Sequence, residues 1–87
     1  MYTHQIEVMA VRHLGDYRLR LFFSDGKVKD VDLANELWGS AFEALQDLAL
    51  FSQVKVDPDL GTIAWVNGAD FAPDALYEMG QEIRAAA

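Results

Sequence analysis

The chain has 87 residues, 52% of them hydrophobic: long enough for one domain with a small core, and too apolar for disorder. It has no cysteine, which excludes disulfides, zinc-thiolate sites, haem attachment and thiol nucleophiles. A net charge of −7 and a pI near 4.5 make a surface that repels phosphate backbones and anionic membranes, and that serves either solubility or a cationic partner.

The N-terminal residues Met1 to Glu7 lack the basic region and long apolar run of a signal peptide, and no apolar stretch reaches the ~18–20 residues of a membrane span. With cysteine absent, a cytoplasmic setting is expected. Residues 5–13 alternate loosely, Ile6, Val8 and Ala10 on one face and Glu7, Met9, Val11 and His13 on the other, which predicts a strand. Leu14-Gly15-Asp16 is turn chemistry. Residues 17–23 give the clearest strand, with Tyr17, Leu19, Leu21 and Phe23 inward, Arg18 and Arg20 outward, and Phe22 partly covered. Asp25-Gly26 predicts a hairpin turn with positive φ at both residues. A third strand over 27–32 is expected to hold Lys27 and Lys29 outward and Val28 inward, with a bulge or strand end where Val31 and Leu33 fall out of phase.

Residues 32–37 predict a short helical turn that Trp38-Gly39 stops. Ser40-Ala41-Phe42-Glu43 fits a capping box, and a helix of about ten residues should follow, with Phe42, Leu45, Leu48 and Ala49 on its buried side and Phe51 at its end. Val54 and Val56 mark a fourth strand. Asp57-Pro58-Asp59-Leu60-Gly61 is a turn, and residues 62–66 a fifth, antiparallel strand with Ile63 and Trp65 on one face. Asn67-Gly68 is read as a corner, since too few residues remain before Pro73 for a full return strand. Pro73 and Asp74 open the last helix, about 73–84, with Leu76, Tyr77, Met79, Gly80 and Ile83 as its buried stripe. Gly80, which costs about 1 kcal/mol against Ala within a helix, marks close packing or the helix end. The whole, residues 1–87, reads as a single α+β domain in the order β-β-β-α-β-β-α: a small, mostly antiparallel sheet of about five strands with two helices packed on it.

The candidate chemistry is thin. Asp70, Asp74 and Glu78 could form a carboxylate site, but the structural reading is the better one: Asp74 favours the helix N-terminus, and Asp70 can accept backbone amides across the corner. Asp57-x-Asp59-x-Gly61 faintly resembles a calcium loop, but Gly68 stands where the terminal bidentate Glu should fall, and the Pro-containing turn explains the residues without a metal. His4 and His13 lie nine residues apart and share no metal spacing. Arg18, Arg20, Lys27 and Lys29 make a basic patch around Phe22, for which cross-strand ion pairing, with Asp25, Asp30 and Asp32 close by, or plain solvation is the better explanation than nucleic acid. Trp38 and Trp65 are both expected in the core, though an interface role remains open for Trp38.

Several of these strings together resemble the bacterial "domain of unknown function 2442" family. The family has a strand like residues 17–23, then Asp25-Gly26, a strand ending in Asp32-Leu33, and a small helix with a Phe near its end, here Phe51. Its hallmark is Trp-Pro-Asn-Gly-Ala-Asp followed by Pro-Asp and Leu-Tyr. This chain has Trp65-Val66-Asn67-Gly68-Ala69-Asp70, Pro73-Asp74 and Leu76-Tyr77, with Val66 in place of the usual Pro. The resemblance spans about residues 6–78. It implies a small α+β fold, no catalytic residues, and a regulatory or antitoxin-like setting, since some relatives carry a helix-turn-helix domain after this one. The expectation is therefore a non-enzymatic protein-interaction or regulatory module. It should need no cofactor or metal, pair with a protein or with itself (as a dimer, for example), and contact neither nucleic acid nor membrane. Its candidate interaction corner is Trp38, Trp65, Asn67, Gly68, Asp70, Asp74 and Tyr77. The alternative is a small-ligand sensor lined by the Trp65–Tyr77 corner.

Overall fold

A computed structural model describes residues 6–83. The expected α+β architecture forms, resolved into two antiparallel sheets and three short helices. The first sheet has four strands in the order β1 (Val8–Gly15), β2 (Arg18–Phe23), β3 (Val28–Asp32) and β6 (Gln81–Glu82). The second pairs β4 (Lys55–Asp57) with β5 (Thr62–Ala64). Between β3 and β4 run a 3₁₀ turn at Ala34–Glu36, α1 (Ser40–Glu43), a second 3₁₀ turn at Ala44–Gln46 and α2 (Leu48–Phe51); α3 (Pro73–Met79) precedes β6. His4 lies outside the described residues.

β2 supplies the inner face as its alternation demands: Leu19, Leu21 and Phe23 are buried and Phe22 is half-buried on the other side. β1 is less regular for a physical reason. Val8 pairs with Phe23, but Ala10 pairs with Phe22, so Met9 is an extra, bulged residue and the phase flips behind it. Val8 and Val11, three apart, both reach the core, and Ala10 and Arg12 turn outward; simple alternation places Ala10 with Val8. The β2–β3 loop also departs from expectation. Gly26 N donates to Phe23 O (3.0 Å) and Phe23 N to Lys27 O (2.9 Å), a three-residue loop in which Gly26 (φ +91°) takes positive φ and Asp25 does not.

β3 pairs with β2 in unbroken register, so no bulge occurs there. Val31 opposes Leu19 and Lys29 opposes Leu21, which puts Lys29 on the inner face and Val28 on the outer one, the reverse of the expectation. The long stem of Lys29 tolerates this because its ammonium reaches Tyr77 O at 2.7 Å and lies 3.6 Å over the Tyr77 ring.

The expected ten-residue helix is broken. Asp47 adopts extended backbone (ψ 111°) and its carboxylate accepts from Ala49 N, capping α2 afresh. Leu48 and Ala49 face solvent as a result, while Leu45 and Phe51 are buried. The Ser40 capping box does not form: Gly39 is the N-cap residue and no side chain caps α1. Beyond the helices, Asp57 organises its turn as read, its carboxylate accepting from Asp59 N and Leu60 N while Gly61 closes at φ +69°. Val8 N donates to Gly61 O (2.9 Å), fastening the second sheet to β1.

α3 starts at Pro73 as expected but ends at Met79, short of residue 84. Gly80 both ends the helix and sits where a Cβ would lie 2.9 Å from Lys29 Cβ; the chain then extends along β3 as β6. Phe51 is the core's hub, with the rings of Tyr17, Trp65 and His13 at 5.2, 5.6 and 5.6 Å. Helices and second sheet cover one face of the four-stranded sheet, in a body of 35 × 33 × 19 Å.

Candidate functional site

The corner residues singled out by sequence do not converge on one pocket. Trp65 is in the core, as expected, with its indole Nε1 donating to Phe51 O at 2.9 Å. Tyr77 packs against a different ring of the same core. Its ring meets Phe23 edge-on at 5.0 Å and its hydroxyl donates to Asp25 Oδ2 at 2.5 Å. That hydrogen bond, helped by the Lys27 amide, holds the Asp25 carboxyl below its ordinary range; it also raises Tyr77. A groove of about 560 Å³ beside β4 and β5 is lined by Trp65, Val66 and Lys55, but not by α3.

Asn67 and Gly68 turn the chain. Gly68 N donates to Trp65 O (3.0 Å) and Trp65 N to Ala69 O (2.9 Å), the same glycine-bulge loop as at Gly26, and Ala64 bridges to Asp70. Asn67, not Asp70, pins this corner. Its Oδ1 accepts from Ala69 N (3.1 Å) and its Nδ2 donates to Ala41 O (3.0 Å), tying the corner to α1. Asp70 is exposed, and its carboxylate takes no hydrogen bond among the described residues; the expectation that it accepts amides across the corner is corrected. An amide does better here because it can accept and donate at once. Asp74 sits in the first turn of α3, exposed and without a side-chain cap bond, and Glu78 is exposed one turn on. Among the described residues no group of three or more His, Asp or Glu is placed to hold a metal ion.

Trp38 is the main departure. It is 71% exposed, not core. Its neighbour Leu37 takes the buried position and is held by Gln46 Nε2 donating to Leu37 O at 2.6 Å. Gly39 follows at φ +84°, ψ 158°, a conformation open essentially only to glycine. The loop is thus locked on both sides of an indole that points to water. Through Ala41, three residues on, it is linked to the Asn67 corner. Val66 on that corner is 85% exposed.

The outer face of the four-stranded sheet carries Arg18, Arg20 and Lys27 of the expected basic patch; Lys29, turned inward to Tyr77, is not part of it. Arg20 forms a two-pronged ion pair with Asp30 directly across β3 (2.8 and 3.0 Å), which lowers Asp30 and raises Arg20, and Lys27 meets Glu82 at 3.3 Å. Cross-strand pairing thus accounts for Arg20 and Lys27. Sequence reading missed Arg12 of β1, which the Met9 bulge swings out to face Arg20 on β2. A groove of about 580 Å³ runs here, with Arg12, Arg20 and Lys27 around Phe22, Val28 and Ile83, and Glu82 at its rim. Among the described residues no helix is long and apolar enough to cross a membrane.

The chain is similar in structure to a candidate DNA-binding protein from Nitrosomonas europaea ATCC 19718, with a TM-score of 0.74 and 28% identity over 86% of this chain. It spans 48% of that protein's chain, so about half of the latter has no counterpart here. Among curated proteins none matches. The model of the protein family of unknown function DUF2442 matches residues 8–82, and the chain belongs to that family.

Proposed function

We propose that this domain is a non-enzymatic, regulatory protein-interaction module that presents Trp38 to a protein partner or to another copy of itself. The exposure of Trp38 carries the reading. Burying a large apolar side chain contributes about 1.5–3 kcal/mol, which this chain forgoes at Trp38 while locking the loop that displays it. Tryptophan is among the residues that dominate interface energetics. The likeness to half of a candidate DNA-binding protein supports a regulatory setting in the cytoplasm. An acidic domain suits work beside a DNA-contacting unit better than work on phosphates itself. The sensor alternative is weaker because Trp65 and Tyr77 pack on different rings, and the groove that Trp65 lines does not reach Tyr77.

The test is affinity capture from the source cells with the wild-type chain and with Trp38→Ala, quantified by mass spectrometry. The reading expects a partner enriched by the wild type and lost with the variant, whose thermal melt is unchanged. Equal capture by both chains refutes it.

A further inference from the structure

Charge is segregated along this chain. Residues 8–32 hold Arg12, Arg18, Arg20, Lys27 and Lys29 against four Asp, whereas residues 33–83 hold Lys55 against nine carboxylates. Exposed Trp38 and most of the lining of the outer-face groove lie on opposite sides of this divide. Trp38 stands in the segment 33–54, which has three carboxylates and no Lys or Arg; Glu36 and Glu43 flank it in sequence, both exposed. The groove on the outer sheet face has a floor of half-buried Phe22 and Val28 with Ile83 at one side, and cations around it. Arg12 opposes Arg20 across β1–β2, a like-charge arrangement that disfavours the strand pair. Asp30 neutralises Arg20, but Arg12 has no ion-pair partner among the described residues.

From this complementarity we infer that the groove receives Trp38 of a second copy of the chain, in a head-to-tail contact. The inference rests on the reading of Trp38 as an interaction anchor. The indole lies on Phe22 and Val28, where the neighbouring guanidinium of Arg12 meets its face, and Glu36 or Glu43 of the incoming copy supplies the carboxylate that Arg12 lacks. A volume of about 580 Å³ is in the range of ligand clefts and accommodates one aromatic side chain with its flanking backbone. Plug and groove are different surfaces, and in a head-to-tail contact each copy retains a free end. The edge of β1 is a poorer candidate for self-pairing, because its bulge at Met9 and its bond to Gly61 blunt it.

Sedimentation velocity of the full chain, taken to millimolar concentration at physiological salt, tests this with two exposed-site variants, Trp38→Ala and Arg12→Glu. The wild type should gain mass with concentration, and each variant should weaken self-association by at least about tenfold. Mixing the variants is the decisive arm. Trp38→Ala keeps its groove and Arg12→Glu keeps its plug, so an equimolar mixture should recover association but stop at dimers. A mixture no better than its components overturns the inference, as does wild-type-like association of Trp38→Ala. A wild type that stays monomeric, yet binds a short DNA duplex through Arg12, assigns the groove to phosphate and also overturns it. If the chain is monomeric while Trp38 still governs partner capture, this inference fails and the interaction-module reading stands.

Discussion

Replacing Gly80 by Ala reverses the sign that propensity alone gives. Gly80 has φ −74° and ψ 149°, ordinary extended backbone that any residue adopts. On conformational grounds Gly80→Ala should therefore stabilise by about 0.4–1 kcal/mol, by restricting the unfolded chain. The packing says otherwise. The new Cβ would stand 2.9 Å from Lys29 Cβ, 3.0 Å from Leu76 O and 3.2 Å from Val31 Cγ1. None of these is the free end of a flexible side chain: two are near-backbone atoms and the third belongs to a buried valine. Relief requires α3 or β3 to shift, which strains the Lys29–Tyr77 contact and the β3–β6 pairing. Overpacking of this kind costs about 1–3 kcal/mol, more than the entropic gain. For a domain of this size each kcal/mol is about 4–8 °C in Tm, so the variant should melt on the order of 10 °C lower by calorimetry. A Tm equal to or above wild type would refute the close-packing argument.

Trp38→Ala should leave Tm nearly unchanged, within about 0.5 kcal/mol, whereas Trp65→Ala should cost about 3–5 kcal/mol in urea unfolding because it empties the core. Asn67→Ala removes two side-chain hydrogen bonds and should destabilise by about 1–3 kcal/mol, while Asp70→Ala should be neutral; the opposite order would restore Asp70 as the corner's pin. Carboxyl NMR should find Asp25 and Asp30 titrating below the ordinary carboxylate range, and Tyr77→Phe should move Asp25 back up. The lowered values mean that the folded state favours the ionised forms. Their contribution is therefore present above about pH 4 and is lost as pH falls through the folded values. Tyr77, raised, contributes below about pH 10 and loses that contribution as pH rises through its folded value.

The parts of the fold legible in the sequence are those governed by local rules. Period-two alternation marks β2, and the Asp57–Gly61 turn and the Pro73 start follow from one or two residues each. What escaped depends on single residues overruling a pattern. Met9 bulges and reverses the phase of β1, which brings Arg12 to the surface. Asp47 prefers to cap a new helix rather than continue an old one. Lys29 points inward because a carbonyl and a ring from α3, distant in sequence, receive its ammonium. β6 is two residues long and carries no pattern of its own. For the candidate site, hydrophobicity sends both tryptophans to the core, and only the placement of Leu37 shows that one position there was already filled.

Acrylamide quenching of tryptophan emission reads the central claim in solution, because Trp65 is 4% exposed and Trp38 71%. In the dilute domain, about one of the two indoles should be freely quenched. When the chain is assembled with its captured partner or with further copies, that fraction should become protected, and the protected fluorescence should be absent from Trp38→Ala. Quenching that stays the same in the assembled state would contradict the account, since Trp38 would then take no part in what the domain binds.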